Sequence, residues 1–97
     1  ARLQGSQLYM MIFTSLLGLA AAALTSLSYI PQVRKALPRR STADLSLKTL
    51  LGLFAGLSLW TIYGPIIDDL IIIAANAIGA ALVGIVLACK LRDIRSA

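Results

Sequence analysis

Residues 70–89, LIIIAANAIGAALVGIVLAC, form a run of twenty positions without a formal charge, and their most polar member is Asn76. As a helix rising 1.5 Å per residue, a run of this length reaches about 30 Å, the thickness of a bilayer's hydrocarbon core. The whole chain points the same way. It has 97 residues, 59% of them hydrophobic and only 13% charged. A soluble domain that small leaves much of its surface in water and has too little polar material here to cover it. The class is therefore an all-α membrane protein.

Two more runs precede the first. Leu8 to Ile30 is interrupted only by Thr14, Ser15, Thr25, Ser26, Ser28 and small residues. It is longer than the roughly 7–15 residues of a signal peptide's apolar region and only Arg2 leads it, so it reads as a true span, taken to about residue 33. Arg34 to Asp44 is then a polar break in which Pro38 cannot continue a helix. Asp44 or Ser46 is suited to cap the next helix, which runs over about 45–64 until Pro65 stops it. The expected organisation is a periplasmic segment at 1–7, a three-helix unit at 8–92 with spans 8–33, 45–64 and 70–89, and a cytoplasmic tail at 93–97.

Charge sets the orientation. Between spans one and two lie Arg34, Lys35, Arg39 and Arg40, with Lys48 just beyond; the tail carries Lys90, Arg92 and Arg95. The turn between spans two and three holds only Asp68 and Asp69. Lysine and arginine collect on the cytoplasmic side, so the N-terminus and the Asp68–Asp69 turn face outward and the C-terminus inward. The net charge of +5 is juxtamembrane charge; no basic-aromatic groove for nucleic acid accompanies it.

Several chemistries drop out. The lone Cys89 forms no internal disulfide, and the absence of histidine removes a histidine metal site and a Ser-His triad. No phosphate-cradling glycine loop occurs. Neither an enzyme, nor a cofactor, nor a metal site is expected.

Three helices pack around a solid seam and enclose no lumen. Yet span two carries Gly52 and Gly56 at the GxxxG spacing, span three Ala80 and Gly84, and span one Gly18 and Ala22, all of which permit close helix approach. The expected assembly is a parallel homodimer about an axis along the membrane normal. Asn76 lies six residues into span three, and Trp60 four residues before the end of span two, at matched height. An indole face suits the C–H face of a sugar ring, and an amide both donates to and accepts from hydroxyls. A neutral polyhydroxyl solute fits that pair; an anion would call for a cation, and none lies at this depth. Asn76 as an interhelical hydrogen bonder and Trp60 as an interfacial anchor are the plainer alternatives. Pro31 frees the carbonyl of Leu27 and kinks span one, with Gln32 beside the opened backbone. No carboxylate lies inside a span, which favours passive exchange over proton coupling.

Tyr29-Ile30-Pro31-Gln32 resembles the Pro-Gln motif of PQ-loop proteins. Thr42-Ala43-Asp44-Leu45-Ser46 and Trp60-Thr61-Ile62-Tyr63-Gly64 followed by Asn76 resemble, in order, the signature of the bacterial SemiSWEET sugar transporters. The resemblance implies a homodimer in the bacterial inner membrane that passes a mono- or disaccharide, glucose- or sucrose-like, by alternating access. It implies a pocket of Trp60 and Asn76, with Ser28 as a further candidate; a hinge at Pro31 and Gln32; an extracellular gate of Tyr63 and Asp69; and a cytoplasmic gate around Leu53 and Phe54. One position departs from the pattern: some relatives carry an arginine four residues after the gate tyrosine, and here it is Ile67. A proton-coupled PQ-loop carrier and a membrane scaffold without transport remain the alternatives.

Overall fold

The computed structural model describes residues 4–96, which hold three helices and no strand. They are α1 (Gly5–Ala36), α2 (Leu47–Ile66) and α3 (Leu70–Ser96). Each is long and apolar enough to cross a membrane. The helices outrun the apolar runs: α1 begins within the expected N-terminal segment, whose residues 1–3 lie outside the described residues, and α3 carries on through 93–96.

Local chemistry sets the ends. Ser46 caps α2, its hydroxyl accepting from the Thr49 amide at 3.2 Å. Asp44, the other capping candidate, instead accepts from Lys35 Nζ at 2.5 Å. Pro65 falls in the last turn of α2, which ends one residue later. Asp68 takes a positive φ of 54° in the tight turn to α3, and the Asp69 amide donates back to the Gly64 carbonyl at 2.9 Å.

The three helices form a layer, α1–α3–α2, in which α3 packs against both neighbours and the backbones of α1 and α2 stay apart. The Cα trace measures 62 × 24 × 14 Å. A layer that thin has no interior channel.

The buried core sits at the basic end. Ala36, Leu50, Val83, Val86, Leu87 and Cys89 form it, with Tyr29, Val33, Leu45, Leu47 and Leu57 packed against them. Cys89 serves there as a small hydrophobe. Beyond this core the α1–α2 loop is tied to the end of α3. Asp93 Oδ2 accepts from Thr42 Oγ1 at 2.6 Å and from the Thr42 amide at 3.3 Å. Its Oδ1 accepts from the Arg40 amide at 3.1 Å and from Arg92 Nε at 2.9 Å. Arg92 in turn donates to the carbonyls of Ala36, Leu37 and Pro38, and so satisfies acceptors left over at the end of α1. Lys90 Nζ adds a bond to the Thr42 carbonyl at 2.8 Å. Thr42 is fully buried. The Arg92 guanidinium, the Thr42 hydroxyl and the Arg40 amide hold the Asp93 carboxyl well below the usual carboxylate range.

The acidic end is looser. Gly18 of α1 meets Ile71 at the start of α3, so the residues of α1 before it extend past α3. Tyr9 is 78% exposed and Phe13 61%. The apolar run alone does not reveal this stagger.

Candidate solute-binding site

Glycines on α3 and α2 set the register of the site. A Cβ added at Gly79 would lie 3.2 Å from the Tyr29 ring of α1 and 3.3 Å from Leu57 of α2. Near the outer turn, a Cβ at Gly64 would lie only 2.5 Å from the Ile73 side chain and 3.1 Å from its amide nitrogen. Trp60 falls midway between Leu57 and Gly64, and Asn76 midway between Ile73 and Gly79. Antiparallel α2 and α3 therefore carry the indole and the amide at one level.

They open onto different grooves. Asn76 lines a groove of about 260 Å³ between α1 and α3, shared with Gly18, Thr25, Tyr29, Leu57 and Ile72. Its Nδ2 donates to the Ile72 carbonyl at 2.9 Å, which satisfies one N–H within its own helix. An amide has a second N–H and a carbonyl oxygen to offer a solute. Trp60 lines a shallow groove of about 300 Å³ on the outer face of α2 with Gly56, Leu59 and Tyr63. Its ring meets Tyr63 edge-on, centroids 5.4 Å apart and planes at 80°. Trp60 is 51% exposed and Tyr63 44%. A single chain brings the two residues to one depth without closing a pocket around both.

The other expected residues are distributed as follows. Ser28 is exposed, its hydroxyl donating to the Thr25 carbonyl at 2.6 Å, and it does not line the Asn76 groove. Pro31 lies within α1, which continues through it to Ala36, and Gln32 is exposed. Asp69 caps α3, Oδ1 accepting from the Ile72 amide at 3.0 Å. It lines a groove of about 570 Å³ with Thr14, Ser15 and Asp68, so Tyr63 and Asp69 stand on separate faces of one chain. Phe54 packs over Gly84, its ring 3.2 Å from where a Cβ would be, and it and Leu53 are each 37% exposed.

Two groove residues carried no assignment in the sequence reading. Thr25 and Tyr29 line the groove with Asn76, and their separation of four puts them on one face of α1. That spacing upstream of Pro31 was the available signal. No formal charge lines either the Asn76 or the Trp60 groove.

Comparison with known proteins bears on the family and the fold. The signature of the PQ loop repeat family matches residues 13–72. The chain is 46% identical over 77 residues to the sugar transporter SemiSWEET of Bradyrhizobium diazoefficiens, covering 79% of this chain and 90% of that one. It is 38% identical over 79 residues to the sugar transporter SemiSWEET of Leptospira biflexa, covering 81% and 93%. Its fold superposes on the crystal structure of a bacterial homologue of SWEET transporters with a TM-score of 0.77 and 32% identity, over 84% of this chain and 98% of the other.

Proposed function

Because this chain belongs to the PQ-loop family, as a multi-pass membrane protein of its SemiSWEET branch, we propose that it carries mono- or disaccharides across the bacterial inner membrane. The observation that carries the proposal is the level pairing of Trp60 and Asn76 on grooves without charge, in a layer too thin to hold a channel. An indole and an amide bind a neutral polyhydroxyl through ring stacking and hydrogen bonds, and neither gives an anion a counter-charge.

The working unit is a parallel homodimer. The Gly56, Trp60 and Tyr63 face of α2 has no neighbour within the chain: a Cβ at Gly52 or Gly56 would meet nothing within 4 Å. Two copies related by a twofold along the membrane normal would turn such faces toward one shared pathway, with the Asn76 grooves and the Tyr63 and Asp69 mouths around the axis. Exchange between outward and inward openings then proceeds by bending at Pro31 and Gln32, with Leu53 and Phe54 toward the basic end. No acid lies between Leu70 and Cys89, between Leu47 and Tyr63, or between Leu8 and Val33, so the carrier works as a uniporter. The basic end faces the cytoplasm.

Uptake of labelled glucose and sucrose into proteoliposomes tests the reading. Trp60→Ala and Asn76→Ala are each expected to abolish most of it. Undiminished uptake in both would remove the pocket. Accumulation driven by an imposed pH gradient would replace uniport with proton coupling. Crosslinking that finds only single chains in lipid would remove the shared pathway.

A further inference from the structure

The network around Asp93 lies outside the proposed pathway, yet it joins the one loop that follows the hinge. Asn76 and Asp93 are separated by about 25 Å along α3 at 1.5 Å per residue, so Asp93 is too remote to touch a solute held at Trp60 and Asn76. Its carboxylate accepts four hydrogen bonds, three of them from the α1–α2 loop. Its side chain is 12% exposed. Arg92 fastens the last carbonyls of α1 to the same point.

These contacts divide α1 at Pro31. Beyond the proline, Val33 packs on the core, Ala36 is fully buried within it, and the carbonyls of Ala36 and Leu37 are held by Arg92. Before it, α1 lies along an open groove beside Asn76. The short end is thus bonded to α3 through Arg92, while the long arm meets α3 by side-chain packing, at Gly18 with Ile71 and at Tyr29 with Gly79. Resting on the transport reading above, we propose that Arg92, Asp93 and Thr42 are positioning residues: a latch that makes the end of α1, the loop and the end of α3 one rigid body, so that bending is confined to Pro31. Without the latch, strain applied by the long arm is spent in moving the loop instead of opening the basic mouth. Conformational exchange often limits turnover in carriers and enzymes, so the latch acts on the maximal rate and leaves solute affinity alone.

The test uses the full chain in lipid. Hydrogen exchange at residues 37–46 and sugar uptake are measured for the wild type, Asp93→Asn, Asp93→Glu, Thr42→Val and Thr42→Ser. Asp93→Asn turns an NH2 toward donors, and Thr42→Val removes the hydroxyl. Each is expected to speed exchange across 37–46 by roughly tenfold or more, in line with losing a charge-assisted hydrogen bond. The maximal uptake rate should fall severalfold, well beyond what any loss of melting temperature accounts for, while KM holds. Asp93→Glu and Thr42→Ser should restore both readings. Unchanged exchange in Asp93→Asn and Thr42→Val would overturn the latch. So would a freed loop with undiminished uptake, or a rate that falls only in step with the melting temperature. An inactive wild type would instead fell the transport reading, and the exchange comparison, which needs no sugar, tells the two failures apart.

Discussion

The two ends of this small bundle are built on different terms. At the basic end one chain completes itself: six residues form a buried core, and the Thr42–Asp93–Arg92 network closes over it. At the acidic end α2 approaches α3 closely at Gly64, while Thr14 and Ser15 of α1 only line an open groove beside Asp68 and Asp69, and the residues of α1 before them are exposed. The basic end is held together by contacts within one chain. The other end carries Trp60, Tyr63 and Asp69 on open grooves, and in the proposed homodimer it is where a second copy and a solute have something to add.

Glycine substitutions test that contrast most strongly. A methyl at Gly64 has no room, because it would sit 2.5 Å from the Ile73 side chain and 3.1 Å from a backbone nitrogen that cannot yield. Gly64→Ala should destabilise the fold by about 1–3 kcal/mol, the usual range for overpacking, and lower the melting temperature in detergent. Adding Ile73→Ala should recover part of the loss and no more, since the backbone contact persists. Gly56→Ala meets nothing within 4 Å in its own chain. It should leave the melting of the single chain unchanged and weaken crosslinking between copies. Equal melting losses at Gly56 and Gly64 would break the distinction between a finished and an unfinished face.

How much of this was legible beforehand varies residue by residue, for physical reasons. Spans are visible because hydrocarbon admits few charges, so apolar length is a direct signal. The Ser46 cap was visible as one of two candidates because capping is local. The matched depth of Trp60 and Asn76 followed from counting residues across a tight turn. What stayed hidden depends on distance in sequence or on direction around a helix. Thr42 and Asp93 are 51 residues apart, and neither carries a mark of the other; Asp93 read as the start of a tail. Gly52 and Gly56 had the spacing of a contact and face open space, whereas Gly64, read only as part of a motif, makes the closest approach. Spacing gives one face of a helix but does not name the neighbour it meets. The register of α1 against α3 was equally invisible, since an apolar arm looks the same whether or not it is paired.

Acid gives a smaller, graded test of the basic end. The folded chain holds Asp93 below its ordinary value, chiefly through Arg92 and then the Thr42 hydroxyl. A depressed carboxylate stabilises the fold fully above its unfolded pKa, about 3.9, and loses that contribution as pH falls toward the folded value. Melting temperature should therefore be flat in Asp93-dependent terms from neutral pH down to about 4 and fall below it. Asp93→Asn should lack that part of the fall. Identical acid profiles for the two proteins would mean that the carboxylate does not hold the loop.

The smallest expected effect comes from the second carboxylate at this end, and it sharpens the role of burial. Asp44 pairs with Lys35 at 2.5 Å, as short as any contact in the Asp93 network, and the bond to Lys35 lowers its pKa as well. Exposure is what separates them: the Asp44 side chain is 65% exposed and Lys35 45%, against 12% for Asp93. Water solvates both partners of an exposed pair nearly as well as they solvate each other, and salt screens what remains. Lys35 also keeps its bond to the Ser41 carbonyl at 2.9 Å when the acid is removed. Asp44→Ala should consequently leave the melting temperature within experimental scatter, and high salt should not distinguish it from the wild type. Uptake is the second half of this measurement. A variant that melts normally and still loses transport would give Asp44 a part in the pathway that its exposed ion pair does not explain, and the basic end would no longer be purely a scaffold.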